Sequence, residues 1–401
     1  MSIATDLYWD PFDTEIDTAP YEVWRRMRDE QPVYRNDRYD FWALSRYADV
    51  ERAHKDTATF ISGRGTVLEM MGPDISRVGS MIIFMDPPDH AALRGLVSRA
   101  FTPRRSSLLE DRIRGFCAEL LDPFVGDESF DYVTDFGALL PSLVISALVG
   151  VPDDEREEQR QNIDNMFHIE PGVGMINDVS FGAQIRLGEY LSGLVERRLA
   201  DPRDDLITAL WQAEVADETT GEPRRLTTDE VVGFATLLFS AGTETVGRLL
   251  GNVAVVLGEN PEQRAALVAE PSLIPNAVEE LLRFEAPSPV QGRMTTREVE
   301  LHGVTIPAES KVLLLTGSAG RDDRAYPEPD EFDVRRDLQH HVSFGHGIHF
   351  CVGAALARLE GKVAIEETLK RFPEWQLDRE HVVRQHTSTV RGYHAVRILV
   401  S

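Results

Sequence analysis

Phe344-Gly345-His346-Gly347-Ile348-His349-Phe350-Cys351-Val352-Gly353, near the C-terminus, runs directly into Ala354-Ala355-Leu356-Ala357-Arg358-Leu359-Glu360. Two glycines ahead of a cysteine suit a tight loop, because glycine takes positive φ without steric cost. Beyond the cysteine, Val352, Leu356, Leu359, Val363, Ile365 and Leu369 carry a helical apolar pattern. Cys351 therefore stands at or just before a helix N-terminus, where unpaired N–H groups and the helix dipole favour a thiolate. Gly353 leaves the first turn without a side chain, so a flat ring system can lie close to the backbone.

A lone cysteine after a glycine turn is usually an inert small hydrophobe. Here the surrounding residues carry a fuller pattern, Phe-Gly-x-Gly-x-His-x-Cys-x-Gly, met at Phe344, Gly345, Gly347, His349, Cys351 and Gly353. That stretch resembles the cysteine-ligand loop of the cytochrome P-450 family, the haem-thiolate monooxygenases of the soluble bacterial type. The resemblance implies haem b (iron protoporphyrin IX) as cofactor, with Cys351 as axial ligand of the iron and Phe344 and Gly353 beside it. A thiolate in that place pushes electron density that favours O–O cleavage.

A second element lies upstream. Thr227-Thr228-Asp229-Glu230 has the Thr-x-x-Glu spacing of a capping box, and a helical run follows to about Gly258, where Glu259-Asn260-Pro261 stops it. At 1.5 Å rise per residue it spans roughly 45 Å, and being apolar on most sides it belongs in a core. Its middle, Ala241-Gly242-Thr243-Glu244-Thr245, is polar, and a threonine bonding back to the preceding turn bends a helix. The combination resembles the family's acid–alcohol pair. It implies that Thr245 steadies an ordered water on the oxygen-binding side and that Glu244 relays protons inward.

Asp86-Pro87-Pro88-Asp89-His90 reads as a turn into a helix that puts His90 and Arg94, four apart, on one face. In the family such a pair resembles a clamp for haem propionates, and Arg293 and His349 stand where the third and fourth contacts are expected. Glu280-Leu281-Leu282-Arg283 resembles the family's Glu-x-x-Arg, a structural brace closed by an arginine ahead of the cysteine. Phe332-Asp333-Val334-Arg335-Arg336 supplies it, and the spacing favours Arg336 over Arg335.

The chain has 401 residues, a formal charge of −25 and only two cysteines. Such an acidic balance argues against nucleic acid and anionic membranes as general partners. Two cysteines leave no room for a disulfide framework, and Cys117, among Ile113, Phe116, Leu120 and Leu121, reads as core. The polar, acidic N-terminus carries no apolar leader, and the apolar runs are too short to span a bilayer. A soluble, cytoplasmic, monomeric protein is expected. The basic residues are overwhelmingly Arg, which hints at a GC-rich bacterial genome.

Along the chain, Ala19–Gln31 reads as a first helix, Val33–Arg46 as a hairpin around Asn36-Asp37, and Tyr47–Lys55 as a short helix. Residues 57–85 lack periodicity, yet their apolar content suits a pocket wall. Ser106–Val125, Thr134–Val149, Asp153–Phe167, Ser180–Leu199 and Asn276–Phe284 read as helices. The break at Glu170-Pro171-Gly172-Val173-Gly174 fits either a lid over the substrate, as in relatives, or a plain connection. Thr296–Val312 alternates as strands around His302-Gly303, a short helix is expected from Arg321-Asp322-Asp323, and Trp375–Val400 alternates around a turn at Thr387–Val390.

These readings point to one mostly α domain over residues 1–401 with a smaller β-rich portion, the haem lying between the long helix and the helix after Cys351. The implied function is insertion of one oxygen atom from dioxygen into an apolar small organic substrate. Terpenoid, steroid, fatty or aromatic molecules fit, with Met70, Met71, Ile83, Phe84, Phe167, Leu238, Ala241, Pro289, Val290 and Val390 as candidate pocket residues or plain packing. Nothing in the sequence suggests a flavin or iron–sulfur segment, so electrons are expected from outside, and the resemblance implies a ferredoxin and an NAD(P)H-dependent ferredoxin reductase as partners. Arg99, Arg104 and Arg105 suit either a docking patch or a solvated face. A hydrogen-peroxide-dependent peroxygenase and a non-catalytic haem-binding sensor are the alternatives.

Overall fold

Thr227 and Glu230 begin the longest helix by exchanging side-chain bonds. The Thr227 hydroxyl accepts from the Glu230 N–H at 3.2 Å, and the Glu230 carboxylate accepts from the Thr227 N–H at 2.8 Å. The helix then runs Thr228–Glu259, and Pro261 starts the next one, Pro261–Ala269. Its buried face is nearly continuous from Val246 to Leu257, as a helix threaded through a core requires. In its middle Gly242 permits a close crossing. A Cβ there would lie 2.8 Å from Ile145 Cδ1 on the helix Leu139–Val149.

The computed structural model describes residues 7–72, 81–100, 107–168, 170, 177–216 and 222–400. Helices dominate, among them Tyr21–Glu30, Tyr47–Lys55, Asp89–Ala100, Glu110–Leu121, Arg156–Met166, Asp178–Ala200, Ile274–Phe284 and Ala354–Arg371. The expected helix Thr134–Val149 is divided into a wide turn, Val133–Gly137, and the helix Leu139–Val149, with Pro141 in its first turn where no N–H partner is lost. A short helix Leu206–Gln212 and a small hairpin, Glu214–Ala216 with Pro223–Arg225, were not foreseen. The lid-like break after Glu170 falls mostly on residues 171–174, outside the described residues.

The β portion has two main sheets. In the larger, Phe41–Leu44 pairs antiparallel with Val33–Asn36 and parallel with Lys311–Leu315, which pairs antiparallel with Val290–Thr295; Phe60–Ile61 closes the order. That register sets Arg293 opposite Val312 in a buried interior position. The smaller sheet joins Trp375–His386, Arg391–Val400 and Ser129–Asp131. One expected element is misplaced. The short helix is Thr316–Ala319, directly after a strand, and residues 321–323 are not helical. Arg321 is instead drawn inward, donating to the Phe284 carbonyl at 2.8 Å and to Glu285 Oε1 at 3.0 Å. Cys117 is fully buried in the main core.

Candidate active site

Gly345 and Gly347 both hold φ of +69°, the left-handed region that favours glycine. The Cys351 N–H closes the loop on the Phe344 carbonyl at 2.8 Å, and Gly353 forms the N-cap of the helix Ala354–Arg371. Backbone N–H groups of Gly353 and Ala354 point at the Cys351 sulfur, and Arg94 and Arg358 add positive charge. Burial nonetheless outweighs these and pushes the thiol up from its ordinary value. The dipole alone therefore does not ionise it, contrary to the expectation from helix position. A coordinating metal deprotonates a thiol outright.

Cys351 opens onto a cavity of about 280 Å³ whose other wall is the middle of the long helix, with Ala241, Gly242, Thr245 and Val246. The Thr245 hydroxyl donates to the Ala241 carbonyl at 2.6 Å. Glu244 is placed differently. It is absent from the cavity wall, and its carboxylate accepts from Arg248 Nε at 2.9 Å, while the same guanidinium donates to the Tyr393 carbonyl at 2.7 Å.

His90, Arg94, Arg293 and His349 converge on this cavity from three separate segments. The rings of His90 and His349 lie 4.2 Å apart, and Nε2 of each is buried without a hydrogen-bond partner among the described residues. Burial, with Arg293 and neighbouring His90 and Arg94, brings His349 down to about 3, and burial brings Arg293 down to about 10. Arg94 also donates to the Phe350 carbonyl at 2.5 Å. Asp86 bears on His90 and Arg293 only at a distance, its carboxylate accepting from the N–H groups of Ser62 at 2.8 Å and Gly63 at 2.7 Å. Donors and cations without a bonded carboxylate among the described residues form a cradle for one. At Gly353 a Cβ would meet the cysteine sulfur at 3.9 Å, so beside the sulfur the cavity is bounded at this residue by backbone. A flat, iron-bearing ring with two carboxylate arms fits this donor set.

The cytochrome P450 family model matches residues 20–391. The chain belongs to the cytochrome P450 family. It is 38% identical to Cytochrome P450 130 of Mycobacterium tuberculosis over 389 residues, covering 93% of each chain. It is 39% identical to the Vitamin D(3) 25-hydroxylase of Pseudonocardia autotrophica over 379 residues, covering 93% of this chain and 92% of that one. The solved structure of CYP109Q5 from Chondromyces apiculatus superposes with a TM-score of 0.89 at 35% identity over 98% of both chains. Membership makes this P450 a haem-dependent monooxygenase.

In this P450 the Glu280–Arg283 pair is fully buried, with Arg283 Nε to Glu280 Oε2 and NH2 to Oε1 both at 2.7 Å. Arg336 reaches Glu280 Oε1 at 3.0 Å, whereas Arg335 turns outward to Glu270. Neighbouring Glu279 ties the cysteine helix to this brace through Arg358 at 2.6 Å and holds His341 at 3.1 Å. Burial alone would raise the Glu279 carboxyl, but bonds from Arg358 and His341 win and bring it to about 2. Its folded value lies below the ordinary 4.5, so its stabilisation is present above that pH and is lost as pH falls towards 2. Acid unfolding of Glu279→Gln should therefore be less steep across that window than that of the parent, as followed by circular dichroism.

Among the pocket candidates, Ile83, Leu238 and Ala241 line the cavity. Met70, Phe84 and Val390 do not, nor do Met71, Val290, Phe167 and Pro289. Met71 and Val290 are consumed by a second hydrophobic cluster around Trp9 and Trp24, where the Met71 sulfur covers Gly292. Phe167 packs against the main core, Pro289 seats on Gly317, and Val390 turns its carbonyl to Thr387 within the hairpin turn. Ile82, Ile145, Leu237 and Leu249 take their place in the wall, with Ser288 and Gln291 as its polar part. Two acid–base groups were also overlooked. Glu360, only 1% exposed, lines the cavity with Oε2 unpartnered, and burial holds its carboxyl well above the ordinary range. His54 is the other, and its spacing with Val50 and Ala53 on one helix face marked it only as a core residue.

Proposed function

We propose that this P450 oxidises an apolar molecule of steroid or similar terpenoid size, using electrons from a ferredoxin and an NAD(P)H-dependent ferredoxin reductase. The observation that carries the reading is that Cys351 and Thr245, from two separate segments, line one largely apolar cavity. The haem, when bound, supplies dioxygen activation and oxygen transfer. Relatives support the substrate class: one is named for 25-hydroxylation of vitamin D(3), and CYP109E1 of Bacillus megaterium, 29% identical, was solved with testosterone. The family's dependence on redox partners supports the electron source. Of the arginines considered for docking, the side chain of Arg99 and all of Arg104 and Arg105 lie outside the described residues.

The lining residues divide the work in this reading. His90, Arg94, Arg293 and His349 bind the propionates, and Phe344 and Gly353 shape the floor under the ring. Ile83, Leu237 and Leu238 exclude water and hold the apolar skeleton of the substrate. The Gln291 side chain, which donates to Ser288 Oγ at 2.6 Å, offers a bonding site to an oxygen function on the substrate. Thr245 donates its hydroxyl hydrogen to Ala241, which leaves its oxygen lone pairs to accept from a water in the cavity. Glu244 delivers protons to that water once its contact with Arg248 opens.

Two substitutions test the proton route. Glu244→Gln should slow ferredoxin-driven turnover by roughly 10²-fold, the lower range for lost acid–base assistance, with haem content unchanged. Thr245→Ala should divert reducing equivalents from product, measured as the ratio of product formed to NAD(P)H consumed. Turnover driven by hydrogen peroxide, which arrives with its oxygen already reduced, should fall far less in both. Wild-type behaviour of both variants under ferredoxin-driven conditions would remove the relay from the account. Substrate class is read by low- to high-spin conversion on titrating steroids, secosteroids, terpenoids and fatty acids; a response confined to fatty acids would refute the proposed class.

A further inference from the structure

The helix Tyr47–Lys55 ends against the cysteine loop, and the loop glycines make room for it. A Cβ on Gly347 would meet the His54 carbonyl at 2.9 Å, and one on Gly345 would touch the His54 ring at 3.8 Å. The His54 imidazole is 3% exposed, lines the haem cavity, and has neither ring nitrogen bonded among the described residues. A neutral imidazole always carries one N–H. Burying that donor unpaired is costly, so natural structures rarely do it without a purpose.

The surroundings say what is missing. Arg293, His346 and His349 all bear on His54 as positive or potentially positive groups, and burial with this company keeps it neutral, down to about 3. The carboxylate that bears on Arg293 is Asp86, which is taken up by the N–H groups of Ser62 and Gly63, and no carboxylate among the described residues bonds to His54. No part of the proposed mechanism uses the residue, and it comes from a segment separate from the four propionate partners already named.

We propose that His54 is a fifth haem-anchoring group, a positioning residue whose N–H donates to the propionate paired with Arg293. The inference rests on the haem reading of the site. It ties the loop that carries the iron ligand to the cofactor's carboxylate edge through one buried side chain. Loss of the bond should therefore be felt as faster haem release.

The test compares His54→Phe with the parent in transfer of haem to excess apomyoglobin. It uses protein loaded either with native haem or with the dimethyl ester of iron protoporphyrin, whose arms carry no charge. Native haem should leave the variant roughly tenfold faster, as expected for loss of a charge-assisted bond. The dimethyl ester should leave parent and variant at equal rates. His54→Asn and His54→Gln each keep an N–H near one ring nitrogen, and at least one of them should restore slow release of native haem. Equal acceleration for both porphyrins would show a packing role and overturn the proposal, as would no acceleration of native haem. If His54→Phe does not fold, fast native-haem release in both amide variants overturns it too. A parent that takes up no haem would instead refute the functional reading beneath it.

Discussion

Cys351→His is expected to abolish the red-shifted Soret band of the reduced carbonyl complex and to take oxidation of the substrate to background. The reason lies in the ligand and not in the pocket. Histidine is neutral and cannot push electron density as a thiolate does, so the step that needs O–O cleavage loses its driving element. The proposed anchoring set His90, Arg94, Arg293 and His349 is untouched by the change, so haem should still be retained, although the larger ring must fit where Gly353 and Ala354 direct their N–H groups at sulfur. Cys351→Ser separates size from electronics: it is smaller, and it should lose the same band. Retention of the red-shifted band by either variant would mean that another residue is the ligand.

Arg283→Ala should be the most damaging change outside the cavity. Arg283 and Glu280 are both 0% exposed, and the guanidinium also holds the carbonyls of Gly320 at 2.7 Å and Pro329 at 2.8 Å. Removing it strands the Glu280 carboxylate with Arg336 and the Asp333 N–H as its remaining partners among the described residues. Breaking a buried pair in this way costs about 3–5 kcal/mol, a large share of the stability of an ordinary protein. The urea midpoint should fall accordingly, and haem should be lost at denaturant concentrations the parent tolerates. Arg283→Lys should not rescue it, because an ammonium cannot reproduce the planar fork that spans both carboxylate oxygens and two carbonyls. A midpoint within error of the parent would refute the brace.

The parts of this P450 that could be read from sequence are those set by local chemistry. Thr227 and Glu230 begin the long helix by bonding each other, and Pro261 marks where it has ended; neither depends on distant residues. Gly345 and Gly347 stand where the cysteine loop needs positive φ. Arg336 was preferred over Arg335 as the partner of Glu280 on spacing, and it is Arg336 that makes the contact. What escaped sequence was decided by tertiary competition. Met71 and Val290 are as apolar as any wall residue, but the cluster around Trp9 and Trp24 claims them, and Ile145 and Leu249 face the cavity instead. The contact between Glu244 and Arg248, one turn further along the same helix, is by contrast local, a pairing that the i,i+4 spacing already carried. His54 sits on a short helix with no motif around it. Only the fold reveals that it meets the cysteine loop.

The reduced carbonyl spectrum of the purified wild-type protein tests the central claim most directly. A haem bound through the Cys351 thiolate predicts a Soret band displaced well to the red of histidine-ligated carbonyl haem proteins. A band at the histidine-ligated position, or a protein that stays colourless after reconstitution with ferric protoporphyrin, would contradict it.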